Sequence, residues 1–509
     1  MEKLKKYKEE IKFHLLLNIL FAVFISLASY IHIPLEGAKS YFIYGCHFLI
    51  LQFSVFGFLY LFSLSKILFR ILFPVVFFTL STISFWVYTQ DISINSGMIQ
   101  AILESNIDIA IDVFSFQFGL FMLFSVIGII FCIKKYLQLK RNHFGFPLFI
   151  LSILAISVFF IAENYRYGVL KRKLPYSVFY GMKEYLEKPT LKIKKVHQNT
   201  RTEKDSLHII FVLGESVRAD HLSINGHHRN TTTLLKKQNN VVSYKNIYTP
   251  LTYTAISVPQ IISDMFILER AQIETYSMYS VLNKAGFNSE WIGNQSLEKS
   301  YESLVKTNKE VQIIDKFNSV LSFKKGKDLV LFDKFSFENL AAKNKISTLH
   351  MIGSHWYYNS RIDNRFKIFK PIVSSKYLGA STKEALINSY DNTLLYLDFF
   401  LDKLINELKK SKNETILIYL SDHGETLGED GHWFHAQNNK PSQNPAMLVW
   451  YSEKFKKNNP MKTAHLISNK NDTISTDFLF HSILDLSEIK GFNFKKEKSI
   501  FYKRKEETN

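Results

Sequence analysis

Two apolar runs in the second half of the chain end in side chains able to hold a cation. Leu207–Leu213 (LHIIFVL) leads into Gly214-Glu215, and Thr415–Leu420 (TILIYL) leads into Ser421-Asp422-His423-Gly424-Glu425. If the runs are strands of one sheet, Glu215, Asp422 and His423 project into the same rim. Histidines gather nearby in sequence: His350 and His355 in LHMIGSHWYY, His432 and His435 in GHWFH. Carboxylate oxygens and imidazole nitrogens, with no thiol at hand, suit a hydrolytic zinc or manganese site. A single histidine of this kind reads as a hydrogen-bonded loop residue. Four of them beside Glu215, Asp422 and Glu425 read as a metal site.

Such a site needs a nucleophile. The stretch Pro250-Leu-Thr-Tyr-Thr-Ala-Ile-Ser-Val-Pro offers Thr252, Thr254 and Ser257 just ahead of a predicted helix. A hydroxyl there feels the positive end of the helix dipole. Coordination to a metal would lower its pKa and make an alkoxide available at neutral pH. Simple helix capping by Thr explains the same pattern, and composition does not choose among the three.

The elements that must position these groups follow from hydrophobic pattern. Short apolar runs closed by turn residues predict buried parallel strands at Leu207–Leu213, Thr415–Leu420 and Ala446–Tyr451. Between them Leu386, Tyr390, Leu394, Leu397, Leu401, Leu404 and Leu408 recur at three- and four-residue steps, which predicts a helix with one buried face. Strands alternating with helices predict an α/β domain with a mostly parallel sheet between helices, its ligand site beyond the carboxyl ends of the strands.

The first third of the chain is different. Charges are absent from Phe13–Leu35, Ser40–Ser65, Ile71–Gln90, Val113–Ile133 and Asn142–Ala162. About 20 apolar residues cross a hydrocarbon core of about 30 Å as a helix, so a five-helix transmembrane domain is predicted over 1–162. Lys3, Lys5, Lys6, Lys8 and Lys12 precede the first window, Lys66 and Arg70 lie between the second and third, and Lys134, Lys135, Lys140 and Arg141 lie between the fourth and fifth. An alternate loop carries Asp91, Glu104, Asp108 and Asp112 with no base. This places the N-terminus in the cytoplasm and, after five crossings, the remainder outside. The first window outruns a signal-peptide core and reads as an uncleaved anchor.

Whole-chain composition agrees with an apolar part joined to a polar part. The 509 residues carry 63 Lys+Arg against 45 Asp+Glu, a formal charge of +18, with 45 Phe, and the mean hydropathy is −0.02. This excludes a disordered chain, and the lack of a short period excludes collagen and solenoids. The two cysteines, Cys46 and Cys132, lie in apolar windows, so neither a disulfide framework nor a thiolate cluster is expected. Residues 163–205 are basic, with Arg166, Lys171, Arg172, Lys173, Lys183, Lys188, Lys192, Lys194, Lys195 and Arg201. They read as a linker, either solvated or lying on anionic headgroups. No nucleic-acid partner is expected, since the base is spread rather than clustered with aromatics.

At this point the motifs carry a resemblance. Gly214-Glu215-Ser216-Val217-Arg218-Ala219-Asp220 with Asn225-Gly226, Thr254-Ala-Ile-Ser257-Val258-Pro259, Gly353-Ser354-His355, Tyr390-Asp391-Asn392, and Ser421-Asp422-His423-Gly424-Glu425-Thr-Leu427-Gly428-Glu429 with His435 occur in one order. That order resembles the membrane phosphoethanolamine transferases of the alkaline phosphatase/sulfatase superfamily, which include lipid A-modifying, colistin-resistance enzymes. The likeness runs over nearly the whole chain and implies a sulfatase-like catalytic domain over 206–509, in the periplasm of a multi-pass inner-membrane protein.

The resemblance implies roles residue by residue. Glu215, Thr254, Asp422 and His423 match the residues holding the principal zinc, with room for a second ion. Thr254 matches the nucleophile that becomes phosphoethanolaminated. His355 and His435 match residues facing the substrate phosphate or a second zinc, and His350 matches a further pocket histidine. Gln295 and Lys299, in Trp291-Ile-Gly-Asn294-Gln295-Ser296-Leu-Glu-Lys299, match polar positions of a headgroup-binding loop. The implied reaction takes phosphoethanolamine from phosphatidylethanolamine, through a covalent Thr254 intermediate, to an envelope acceptor such as lipid A or a lipopolysaccharide sugar. Membrane lipids are thus both surroundings and substrates.

The chain departs from the family pattern in places. Cysteines that flank the nucleophile in many relatives are replaced by Pro250 and Gln260, and Trp356-Tyr357, Ala436 and Tyr253 stand where smaller residues are usual. A phosphoglycerol transferase or a phosphodiesterase on the same fold is the alternative. A formylglycine sulfatase is disfavoured because Thr254 cannot undergo that conversion. A catalytically dead anchor would have no need to keep Glu215, Thr254, Asp422 and His423 together.

Overall fold

The computed structural model describes all residues except 1–6, 34, 36, 91–93, 104–115, 140–144, 167–168, 188–190, 267–273, 320–321, 323, 338–342, 376–380, 436 and 504–509. Those exceptions include Lys3, Lys5, Lys6, Asp91, Glu104, Asp108, Asp112, Lys140, Arg141, Lys188 and Ala436 named above. The chain forms two units, residues 1–187 with 374–381, and residues 188–373 with 382–509.

The first unit is helical: α1 Lys8–Phe24, α2 Gly37–Ser63, α3 Lys66–Gln90, α4 Ser96–Leu103, α5 Phe116–Gln138, α6 Phe146–Arg166 and α7 Tyr176–Glu187. Among the described residues, α2, α3, α5 and α6 are long and apolar enough to cross a membrane. The fifth expected span, the window Phe13–Leu35, is not among them. Its helix begins with Lys8, Glu9, Glu10 and Lys12 and stops at Phe24, where Ile25 leaves helical geometry and a 3₁₀ turn follows over Ser26–Ser29. The charge-free part of α1 therefore rises only about 18 Å at about 1.5 Å per residue, well short of a core of about 30 Å. Its face is also partly polar: His14 is buried with Nε2 3.2 Å from Ser63 Oγ. Four candidate spans replace five, and the side of the outer unit no longer follows from counting crossings.

Close packing within this unit uses small residues, as lipid-embedded helices require. A Cβ on Gly57 of α2 would stand 2.7 Å from the Ser152 carbonyl oxygen of α6. Large apolar side chains such as Phe42, Ile67 and Phe116 face outward, each more than 70% exposed. A water-facing surface rarely carries so many.

The second unit is built on a seven-stranded sheet. Its strands are β1 Leu207–Gly214, β2 Val241–Tyr244, β3 Asn288–Gly293, β4 Glu310–Ile313, β5 Lys345–His350, β6 Glu414–Ser421 and β7 Met447–Tyr451, in the order β2-β7-β6-β1-β5-β3-β4. β1 and β6 sit side by side, parallel, in the register Gly214↔Ser421. Both are fully buried across β1 and from Thr415 onward in β6. Helices α8 Thr254–Ile261, α9 Met278–Lys284, α10 Lys299–Val305, α11 Lys383–Leu408 and α12 Phe478–Leu486 belong to this unit. Val258, Val281, Leu304 and Ile483 join one core with the sheet, while Leu394, Leu401 and Leu408 of α11 join the other.

The sheet is mixed rather than uniformly parallel. β7, expected as a third parallel strand, pairs antiparallel with both β6 and β2. The connection from β6 to β7 contains only a two-residue ladder, a 3₁₀ turn and one short helical turn. A return to the same side of the sheet needs no crossover helix when the next strand runs backwards. The stretch read as a linker holds α7, and its Lys192–Ile193 and Arg201–Thr202 pair with Glu274–Thr275 and Ile489–Lys490.

Candidate active site

The register of the two central strands creates the site. Gly214 and Ser421 are paired, so Glu215 and Asp422 emerge next to each other at the carboxyl end. Ser216 takes positive φ (59°), and its N–H donates to Asp422 Oδ1 at 3.3 Å while its hydroxyl donates to Glu215 Oε1 at 2.9 Å. Behind it, the Tyr390 hydroxyl of α11 donates to the Ser216 carbonyl and accepts from the Arg218 N–H, both at 2.9 Å. Gly353, at φ +60°, lies so close to Glu215 that a Cβ would stand 2.6 Å from its carbonyl oxygen. Only glycine fits there without displacement.

His423 completes the group. Its Nδ1–H donates to the Gly424 carbonyl at 2.9 Å, which turns Nε2 toward Glu215 Oε1 (3.2 Å) and Asp422 Oδ2 (3.4 Å). Nε2 is shielded from solvent and makes no hydrogen bond of good geometry. One ligand atom each from Glu215, Asp422 and His423 falls within 4.8 Å of the others, and all three residues are buried. Thr254, at the first position of α8, donates from Oγ1 to Glu215 Oε2 at 2.7 Å. Ser257 Oγ lies 3.5 Å from Asp422 Oδ2. Thr252 is not part of these contacts; its neighbour Tyr253 points outward.

Electrostatics show what the cluster is suited to hold. Burial alone would raise the Glu215 carboxyl, but the His423 imidazole beside it, with His355 and His435 beyond, holds it well below the usual range. Burial and the Glu215 charge push Asp422 up to about 7. Burial would lower His423, yet Asp422 and Glu215 push it up to about 10. Two buried acids thus favour positive charge on the one imidazole between them. An orphaned nitrogen facing two carboxylates, with a hydroxyl at hydrogen-bond distance, is a donor set that fits zinc.

His355 and His435 stand over this group. The His435 ring lies 5.0 Å from that of His423 and 4.9 Å from that of His355, centroid to centroid. His355 Nδ1 donates to the Trp356 carbonyl at 2.6 Å, leaving Nε2 as its free lone pair, and burial followed by His435 holds its pKa well below 6.5. His435 Nδ1 lies 3.6 Å from Glu425 Oε2, and Glu425 Oε1 accepts from the Tyr358 hydroxyl at 2.7 Å. Tyr358 and Ser216 were not singled out from sequence. A tyrosine two residues beyond Trp356 and a serine after Glu215 carry no signal without the fold.

The remaining expected residues are placed differently. His350 closes β5 and is buried against Trp291 and Tyr301, with ring centroids at 5.1 and 6.0 Å. Gln295 Nε2 donates to His350 Nε2 and to the Met351 carbonyl, both at 3.0 Å. Gln295 thus occupies His350 Nε2, while His350 Nδ1 is buried without a hydrogen-bond partner, and burial brings His350 down to about 4. Lys299 opens α10 and is partly exposed. His432 is exposed on the turn before the Trp433–Phe434 strand. At the positions lacking the flanking cysteines, buried Gln260 accepts from Thr476 Oγ1 at 2.9 Å and ties α8 to the segment before α12.

The chain is similar to known proteins in both of its parts. The family model described as Sulfatase matches residues 208–489, and that of the phosphoethanolamine transferases EptA/EptB matches residues 51–173. Phosphoethanolamine transferase EptA of Escherichia coli K12 is 32% identical over 328 residues, which cover 61% of this chain and 59% of the relative. The match thus spans less than two thirds of that relative's length. The solved soluble domain of lipooligosaccharide phosphoethanolamine transferase A from Neisseria meningitidis is 25% identical, covering 61% of this chain and 97% of that one, with a TM-score of 0.55. The C-terminal periplasmic domain of phosphoethanolamine transferase EptC from Campylobacter jejuni is 28% identical with the same coverage and a TM-score of 0.53.

Proposed function

From the premise that the chain belongs to the sulfatase family, among its membrane phosphoethanolamine transferases, we propose that it transfers phosphoethanolamine from phosphatidylethanolamine to an envelope acceptor such as lipid A or a lipopolysaccharide sugar. The observation that carries this reading is the Thr254 hydroxyl 2.7 Å from Glu215, inside a buried group that includes Asp422 and His423. Glu215, Thr254, Asp422 and His423 would hold one zinc, with a second accommodated near His355 and His435. A bound zinc supplies Lewis acidity, which offsets phosphoryl charge and lowers the pKa of the threonine hydroxyl.

The chain's own groups do the rest. Glu215 Oε2 accepts the Thr254 proton, and the first turn of α8 holds Oγ1 against that carboxylate. Oγ1 bonds to phosphorus, the bond from phosphorus to the glycerol oxygen breaks, and that oxygen takes a proton from solvent water as diacylglycerol leaves. The lone pair on His355 Nε2 and the His435 imidazole lie on the open side, where they can hold a phosphoryl proton or accept one from the incoming hydroxyl. That hydroxyl then displaces Thr254, which regains its proton. Lys299 would add positive charge for the phosphate, and Gln295 with His350 would shape the wall behind it.

Residues 1–162 would anchor the protein in the inner membrane and 163–205 would follow the headgroups, with 206–509 catalytic and periplasmic like the Campylobacter domain it resembles. Anchoring keeps the catalytic unit at the surface where donor and acceptor lipids are concentrated. Intact-mass analysis after incubation with phosphatidylethanolamine tests the reading. A phosphoethanolamine adduct on Thr254, absent from Thr254→Val, is expected. A phosphoglycerol adduct after incubation with phosphatidylglycerol alone would favour the alternative, and full transfer by Thr254→Val would refute the mechanism.

A further inference from the structure

A second group of metal-capable side chains lies outside the catalytic cluster. His221 and His227 belong to the loop that follows Glu215, and Asp391 belongs to α11. One ligand atom of each lies within 4.8 Å of the others. The Asp391 side chain is fully buried, and those of His221 and His227 are 13% and 7% exposed. His221 Nδ1 lies 2.6 Å from Asp391 Oδ1. His227 Nε2 lies 3.5 Å from Asp391 Oδ2, is shielded from solvent and makes no hydrogen bond of good geometry. The two imidazoles stack at 4.4 Å between centroids. A buried imidazole nitrogen left without a partner, aimed at a carboxylate that a second imidazole already meets, calls for an explanation.

We propose that His221, His227 and Asp391 bind a divalent transition-metal ion of the zinc class, separate from the site around Glu215. Two imidazole nitrogens and one carboxylate oxygen match the donors such ions choose. Around a tetrahedral zinc with bonds of about 2.0–2.1 Å, neighbouring ligand atoms stand roughly 3.3–3.5 Å apart. The separation of His227 from Asp391 meets that spacing as it stands. His221 must retreat from Asp391 by less than about 1 Å, which a surface-loop side chain accommodates.

Arg229 is the neighbouring charge that opposes a cation. Its Nη1 donates to Asp391 Oδ2 at 2.9 Å, and its guanidinium lies 5.3 Å from the Phe369 ring centroid. It orients the carboxylate, as outer hydrogen-bond donors do at metal sites, and it weakens affinity by repulsion. The ion would clamp the loop after Glu215 onto α11. Asp391 adjoins Tyr390, whose hydroxyl fixes Ser216 and Arg218, so the clamp bears on the backbone that carries Glu215.

The test uses the full chain in detergent, stripped by chelator and titrated with Co²⁺ alone, followed by visible absorption and equilibrium dialysis. Glu215→Gln, which disables the catalytic cluster, is expected to keep one equivalent with tetrahedral absorption. Adding His227→Ala to that variant should abolish it, and adding Arg229→Gln should tighten it by about tenfold, the size of one removed charge at short range. Should the alanine variant fail to fold, His227→Gln keeps the side-chain volume and is expected to lose the same equivalent. The proposal is overturned if Glu215→Gln binds no Co²⁺, or if its equivalent survives His227→Ala or His227→Gln. In that event the three residues form an ion-pair network with Arg229 only.

Discussion

Gly353→Ala is expected to remove the ion proposed at Glu215, and so lower zinc content, through a residue that has no side chain of its own. At Gly353 the backbone has φ +60°, and an added methyl would meet the Glu215 carbonyl oxygen at 2.6 Å, its nitrogen at 2.8 Å and its Cβ at 2.9 Å. Reaching even 3.0 Å requires a shift of about 0.4 Å, and the contacts are two backbone atoms and a Cβ, none of which can rotate away. The left-handed conformation costs an L-residue about 1 kcal/mol, and overpacking of this kind about 1–3 kcal/mol. Together they come to about 2–4 kcal/mol. At an unfolding entropy of about 2 cal/mol/K per residue, a unit of this size loses roughly 1.5 °C per kcal/mol, so its Tm should fall by roughly 3–6 °C.

The functional effect should be larger. A shift of about 0.4 Å exceeds the tolerance of about 0.2 Å on metal–ligand distances, so zinc content should drop with it. Gly286→Ala supplies the control: it has φ +102° with nothing within 4 Å of an added methyl, so it should cost about 1 kcal/mol and leave zinc in place. Scanning fluorimetry and elemental analysis of both full-length variants read the two effects. Equal Tm values and equal zinc in the two would refute the argument that Gly353 fixes Glu215.

Chelation should abolish formation of the phosphoethanolamine adduct, and added zinc should restore it; unchanged adduct in chelator, read by intact mass, would remove zinc from the mechanism. Gln260→Leu leaves the buried Thr476 hydroxyl without its acceptor and should cost about 1–3 kcal/mol. Adding Thr476→Val should recover part of that loss, and a thermal-melt series in which the double variant is no better than the single would dissociate the two residues.

That Glu215, Asp422 and His423 come together was legible because the two halves of the group are written as local pattern. A buried run that ends in Gly-Glu, and another that ends in Ser-Asp-His-Gly, announce strand ends carrying ligands. What a run of apolar residues does not encode is direction. Met447–Tyr451 reads the same forwards and backwards, and only its short connection from β6 makes it antiparallel. Likewise charge-free length is visible in sequence, whereas helix continuity is not. The break at Ile25 depends on its backbone angles and not on any helix-breaking residue within the window before it. His350 and Gln295 are each polar and plausible pocket residues in sequence; that they bond each other beneath Trp291 depends on β3 and β5 being neighbours. The positive φ at Ser216 is set by contacts from Asp422 and Tyr390, both distant in the chain.

Why the central strand pair should carry this chemistry follows from register. Side chains alternate along a strand, so sliding β6 by one residue against β1 would turn its whole buried set over. Ile416, Ile418 and Leu420 lie in one core and Leu417 and Tyr419 in the other, every one of them at most 1% exposed. Exchanging the two sets would carry Tyr419, whose hydroxyl lies beside Gly214, to the opposite face, where the smaller Ile416, Ile418 and Leu420 now pack. The Gly214↔Ser421 pairing is therefore enforced along the full length of both strands, and the spacing of Glu215 from Asp422 inherits that rigidity. Thr254 has no such guarantee. It reaches the group on a short helix held by Val258, Ile261 and the Gln260–Thr476 bond. Glu215 and Asp422 are fixed by the sheet and Thr254 by side-chain packing, so on the proposed mechanism substitutions beneath α8 should impair adduct formation before they impair metal binding.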